Sequence, residues 1–327
     1  MRILGLARMW GLPWWKENVT EKVPRCITGE NDRQTAWNMA KVQRQYDVVC
    51  VAGTLNLFYA LFLLWHGKKA PVVMGENFLP EPGSKGFSWR LKRTIRRYLF
   101  RKIDRFIVYS TGERKLWAEY LGYDESRFTT LLFPSNILDP AVLPEGLYLP
   151  DGEYGFAAGR SGRDFKTFFD AVRNVNYRFV VVADAASVAG LGEVPSNVQL
   201  YCDIPREEYI ALLKNAAFTV LPLHDWLRST GQVVLLEGYA FGKPTVATRC
   251  IGMTDYVVEG KTGFLVEPYN SEAMRLAVEG MIASDENRQQ MGEYAWKKTK
   301  TDFTPQRYLD QYRQVLEEVI QASHDSS

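Results

Sequence analysis

The chain has 327 residues, enough for two domains of ordinary size; 46% are apolar and 24% charged, as in a globular protein with sizeable cores. A net charge of +2 is too small to point to nucleic acid. The four cysteines, Cys26, Cys50, Cys202 and Cys250, are far apart and form no C-x-x-C, so buried free thiols in a reducing compartment are expected. His66, His224 and His324 lack metal-ligand spacing, and no metal is expected.

A first strand is expected over Arg2–Leu6. The opening MRILGLARMW lacks the charged region, long apolar core and cleavage site of a secretory signal. The longest apolar run, Leu55–Trp65, falls short of the ~18–20 residues a spanning helix needs. A cytoplasmic protein is therefore expected, in solution or peripheral on the membrane face. The amphipathic stretch Asn31–Gln45 reads as a helix capped by Asp32. Strands follow at Asp47–Ala52, Pro71–Met74 and Arg105–Tyr109, with helices after Thr54, over Ser88–Arg101 and after Thr111. Short continuous apolar runs alternating with helices are the pattern of a parallel sheet covered on both faces.

Residues 134–153 hold four prolines and read as a linker. Beyond it strands are expected at Tyr154–Ala158, Arg178–Val182, Val198–Tyr201, Phe218–Leu221, Pro244–Ala247 and Gly263–Val266, and the chain turns helical from Ser271. Pro305 suits the first turn of a last helix. The expected division is 1–148 and 149–304, with the helix over 305–322 packing back on the first domain. Ligands of open parallel sheets bind outside the carboxyl ends of the strands, so the chemistry is sought in those loops and in a cleft between the halves.

The segment Leu221–Pro268 is the most informative. The strand Phe218–Leu221 ends in a polar loop, and Ser229, Thr230 and Gly231 then open the helix VVLLEGYAF. A helix N-terminus offers free N–H groups, and a glycine there lets a phosphate approach. Glu237 lies about two turns in, and Gly242-Lys243-Pro244 turns the chain into the next strand. With Gly252-Met-Thr-Asp255 and Gly260-Lys-Thr-Gly263-Phe-Leu-Val, this order of motifs resembles the donor-binding region of the GT-B fold glycosyltransferases, specifically the retaining family 4. The resemblance runs over roughly residues 154–268. It implies two Rossmann-like domains facing a cleft and a nucleotide sugar as donor, by default a UDP-sugar, with no cofactor.

The resemblance also implies roles. Glu237 matches the glutamate that holds the ribose hydroxyls, which suits a carboxylate accepting two donors. Thr230, Gly231, Gln232 and Val233 match the loop and helix start that meet the diphosphate and sugar. Ser229 stands where the family has a second glutamate close to the transferred sugar, and a serine supplies no negative charge. In Gly159-Arg160-Ser-Gly-Arg163-Asp-Phe-Lys166 the family's basic pair falls first on Arg163 and then on Arg160, which would stabilise the leaving diphosphate; Lys166 is the outer candidate. Ile204 matches the loop whose backbone faces the base. On the acceptor side the family histidine after the third expected strand is absent, and Glu76 and Asn77 occupy that region.

Ser84–Arg105 holds nine Lys and Arg against one acid. Leu91, Ile95, Leu99 and Ile103 are expected to face the core, with Arg90, Arg93, Arg97 and Arg101 on another face near Lys92 and Arg96. Such a surface over 88–105 attracts anionic lipid at ~1 kcal/mol per basic residue, with Trp10, Trp14 and Trp15 as interfacial anchors; a solvated helix face is the alternative. The expected activity is metal-independent hexosyl transfer with retention, to a saccharide or lipid-linked saccharide in polysaccharide biosynthesis. A sugar-nucleotide epimerase and a catalytically silent glycosyltransferase-like subunit are the rivals.

Overall fold

The computed structural model describes residues 1–5, 27–53, 55–75, 87–136 and 149–325. Trp10, Trp14, Trp15, Cys26 and most of the proline-rich stretch lie outside them. The chain divides into two compact units, one of residues 1–132 with 306–327 and one of residues 133–305.

In the first unit the strands are β1 (Ile3–Leu4), β2 (Val48–Ala52), β3 (Val72–Gly75), β4 (Arg105–Val108) and β5 (Phe128–Thr130), paired in parallel in that order. Between them run α1 (Asp32–Val42), α2 (Leu55–His66), α3 (Phe87–Phe100) and α4 (Thr111–Leu121). All five side chains of β2 are buried, because helices cover both faces of the sheet. One face is covered by α11 (Pro305–Asp325), whose Tyr308, Tyr312, Leu316 and Val319 pack on Val48, Cys50, Val73 and Ile107.

Four expectations need correction. The cap of α1 is Asn31, which accepts from Gln34 N–H at 2.9 Å, and Asp32 is already in the first turn. β5 was not expected; its FTT has only one fully buried residue and gives no apolar run. Cys202 is exposed at the end of an edge strand, whereas Cys50 and Cys250 are buried. Burial pushes the Cys50 thiol up to about 12 and Cys250 up to about 11.

The fourth concerns α3. Leu99 and Ile103 are buried, but Leu91 and Ile95 are 50% and 47% exposed. The reason is on the opposite side of the helix. Arg93 donates to the carbonyls of Tyr120 and Glu119, and the Tyr123 hydroxyl donates to the Arg97 carbonyl. A cation at the last carbonyls of α4 complements its dipole. The arginine side therefore seats α3, and the apolar stripe of its first turns points outward.

In the second unit the strands are β6 (Tyr154–Ala158), β7 (Arg178–Ala183), β8 (Val198–Cys202), β9 (Phe218–Leu221), β10 (Thr245–Thr248) and β11 (Gly263–Val266). They form a parallel sheet in the order β11-β10-β9-β6-β7-β8. On one face α5 (Phe165–Val172) and α9 (Ser271–Ile282) bury Phe165, Phe168, Phe169, Met274 and Val278. On the other, α7 (Arg206–Asn215) sets Leu212 and Leu213 against Tyr154, Phe156 and Val180. The short α6 (Ala185–Val188), α8 (Gln232–Ala240) and α10 (Asp285–Thr301) complete the unit.

Chain order reverses at β6: β7 and β8 lie to one side of it, and β9 returns to the other. Loops leaving β6 and β9 therefore diverge, and a crevice opens at the carboxyl ends of these strands. The described strands of the first unit follow chain order without such a reversal.

Among the described residues no helix is long and apolar enough to cross a membrane, and no three His, Cys, Asp or Glu side chains gather into a set that could hold a metal ion.

Candidate functional site

The loop after β6 is shaped by Gly159. Its φ of +137° belongs to glycine, and a Cβ there would stand 2.2 Å from Arg163 Nε. The Arg163 side chain fills that space. Its Nε donates to the Ala158 carbonyl at 2.7 Å and its Nη1 to the Ser161 carbonyl at 2.8 Å. Among the described residues no carboxylate pairs with it. Burial lowers its pKa to about 10, so the guanidinium is charged at neutral pH. A fixed cation without a counter-charge is suited to an anionic ligand.

Arg160 is exposed on the same loop, and its carbonyl accepts from the Ser187 hydroxyl at 2.6 Å. Lys166 does not join the pair: it turns along α5 to Asp170 at 2.7 Å, with its side chain 72% exposed.

Opposite lies the loop after β9. Trp226 packs so close to Gly162 that a Cβ there would be 3.0 Å from the ring, and the Arg228 guanidinium lies 4.3 Å from the Trp226 centroid. Arg228 also donates to Ser161 Oγ at 3.2 Å, tying the two loops together. The Thr230 hydroxyl is buried without a hydrogen-bond partner, an arrangement that costs free energy unless a ligand satisfies it.

Gly231, with φ +95°, caps α8 without a side-chain oxygen, so the first N–H groups of the helix remain available to an anion. Ser229 is half-buried, with its Cα against Gly252. The Gln232 amide donates to the Gly252 carbonyl at 3.1 Å and so braces the turn after β10, while Val233 is 42% exposed.

Glu237 is 1% exposed. Arg206 Nη2 donates to one of its oxygens at 2.5 Å, and the Tyr209 hydroxyl donates to the other at 2.7 Å. Ile204, before α7, is half-buried and packs on the cluster that includes Phe156, beside Tyr209 and Val234.

Arg163, Thr230, Gly231 and Glu237 are thus gathered around the carboxyl ends of β6 and β9, while Lys166 lies outside the group. Glu76 and Asn77 fall outside the described residues. Sequence reasoning missed Arg206, Tyr209, Trp226 and Arg228. The motif of α8 gave no hint of the first two, which come from α7; the aromatic and the arginine beside Ser229 were a visible signal.

Two parallel-sheet α/β units, with this crevice in the second, match the GT-B fold of solved glycosyltransferase structures. The fold likeness is direct. Sucrose-phosphate synthase from Thermosynechococcus elongatus superposes with a TM-score of 0.68 at 14% identity, covering 92% of this chain and 81% of that one. Anabaena HepE, solved in complex with UDP, gives 0.66 at 16% identity, covering 87% and 82%.

Residues 188–298 match the model of glycosyl transferases group 1, and residues 19–131 match that of glycosyltransferase family 4. The chain belongs to this group 1 and family 4 type of glycosyltransferase. An uncharacterized glycosyltransferase of Methanocaldococcus jannaschii is 25% identical over 181 residues, 52% of this chain. The chain spans 50% of the length of that curated relative.

Proposed function

We propose that the protein transfers a hexosyl group from a nucleotide diphosphate sugar to a saccharide or lipid-linked saccharide, with retention and without a metal. The observation that carries the proposal is Arg163: a charged guanidinium fixed under Gly159, with no carboxylate partner among the described residues, beside a loop whose Thr230 hydroxyl is unsatisfied. Arg163 and Arg160, with the first N–H groups of α8, take the diphosphate; Glu237 takes the ribose; the Ile204 backbone faces the base. UDP is the default nucleotide, in keeping with a structural neighbour solved with UDP and with UDP-glucose.

As the bond from the anomeric carbon to the diphosphate oxygen breaks, negative charge builds on the leaving group. Arg163 and the helix N-terminus stabilise that charge in the transition state. The acceptor hydroxyl bonds the anomeric carbon on the face the diphosphate leaves, and its proton passes to a diphosphate oxygen. Configuration is retained, and no protein base is required.

The assay is release of nucleoside diphosphate from a panel of nucleotide sugars with saccharide acceptors. Arg163→Ala is expected to lower kcat by about a hundredfold or more. Conversion of the donor sugar without acceptor would favour the epimerase, and donor binding without turnover the silent subunit.

The acceptor is placed at an anionic membrane on the cytoplasmic side, reached through α3. The support is the exposed Leu91, Ile95 and Tyr98 beside Arg90 and Lys92, together with Leu61, Leu64 and the 75% exposed Trp65 on neighbouring α2. Apolar side chains among basic ones match a lipid interface better than a solvated face.

A further inference from the structure

Arg206 opens α7, and the capping residue before it, Pro205, supplies no side-chain oxygen. A cation in the first turn opposes the helix macrodipole, whereas Glu207 and Glu208 beside it suit that place. Helix stability therefore does not account for Arg206. Its guanidinium lies 2.5 Å from Glu237 Oε1, with its own side chain 54% exposed and that of Glu237 1% exposed. A carboxylate buried so deeply needs a partner, and a lone buried charge would be strongly destabilising.

Tyr209, one turn further on, donates its hydroxyl to Glu237 Oε2 at 2.7 Å. Its ring is held edge-on against Phe156, with centroids 5.6 Å apart, and the Arg206 guanidinium lies 5.0 Å from its centre. Burial, followed by the neighbouring Glu237, holds the Tyr209 hydroxyl well above the usual tyrosine range, so it stays protonated and donates throughout the ordinary pH range. Each carboxylate oxygen has two acceptor positions. One on each is taken from α7, which fixes the plane of the group and leaves one on each oxygen for a ligand.

We propose that Arg206 and Tyr209 are positioning residues for donor recognition, holding Glu237 so that its two remaining acceptor positions meet a vicinal diol, the ribose of the nucleotide. This rests on Glu237 being the ribose-binding group. Neither residue touches the reacting atoms; both act through the carboxylate.

The test is calorimetric titration of the wild type, Arg206→Ala, Arg206→Lys and Tyr209→Phe with UDP, GDP and ADP. The nucleotide that binds is then compared with its 2′,3′-dideoxy counterpart. Tyr209→Phe keeps the ring and removes only the hydroxyl. Arg206→Ala and Tyr209→Phe are each expected to weaken the nucleotide by about tenfold, as for loss of a hydrogen bond to a charged group. The dideoxy compound, with no hydroxyls for Glu237, is expected to bind all four proteins alike, and Arg206→Lys to recover part of the loss. Equal weakening of both ligands would show a merely structural role and overturn the proposal. So would unchanged or tighter nucleotide binding in Arg206→Ala, the latter showing competition between Arg206 and the ribose. If none of the three nucleotides binds the wild type, the reading of Glu237 itself fails, and the inference with it.

Discussion

Gly159 and Arg163 share one volume: the space a Cβ would occupy holds a guanidinium that two carbonyls keep in place. Gly159→Ala would both strain a backbone at φ +137° and displace Arg163. Strain of this kind costs on the order of 1–3 kcal/mol. The expected outcome is a lower melting temperature together with at least about tenfold weaker nucleotide binding; unchanged affinity would separate Arg163 from the ligand. Much at this scale was legible. The Gly159-to-Arg163 loop, and further along the chain the Thr230-Gly231 helix start that leads to Glu237, each match a motif of the family and could be read as parts of an anion site. Arg206 and Tyr209 were not legible, because they reach Glu237 from 31 and 28 residues away and only folding places α7 beside α8.

At the scale of the element, α3 shows what periodicity leaves open. Apolar residues four apart predict an amphipathic helix but not which side is covered. Here the carbonyls at the end of α4 hold Arg93, so the first half of the apolar stripe is left outward and only Leu99 and Ile103 reach the core. Several of the basic residues are engaged as well: Arg101 lies 3.6 Å from the centre of the Tyr98 ring. Membrane docking through α3 should therefore depend on the exposed apolar residues as much as on charge. Leu91→Asp with Ile95→Asp is expected to abolish co-sedimentation with anionic liposomes and leave the melting temperature unchanged. Neutral liposomes should not bind the wild type at moderate salt. Equal partition to both vesicle types would sink the idea.

For the whole molecule, the alternation of short buried runs with helices was enough to give two parallel-sheet units, because strands buried on both faces read as continuous apolar stretches. The short β5 escaped for the converse reason, having little apolar sequence to show. The strand reversal at β6 puts the crevice of the second unit at the loops that carry the cations and the orphaned Thr230 hydroxyl. Donor recognition is the central claim, and a thermal-shift screen of UDP-, GDP-, ADP- and dTDP-sugars tests it most directly. A ligand at a hundred times its Kd stabilises the folded state by about 2.7 kcal/mol, which is a shift of several degrees for units of this size. At least one nucleotide sugar is expected to raise the melting temperature of the wild type and to leave Glu237→Ala unshifted. No shift with any of them, or an equal shift in Glu237→Ala, would contradict the account.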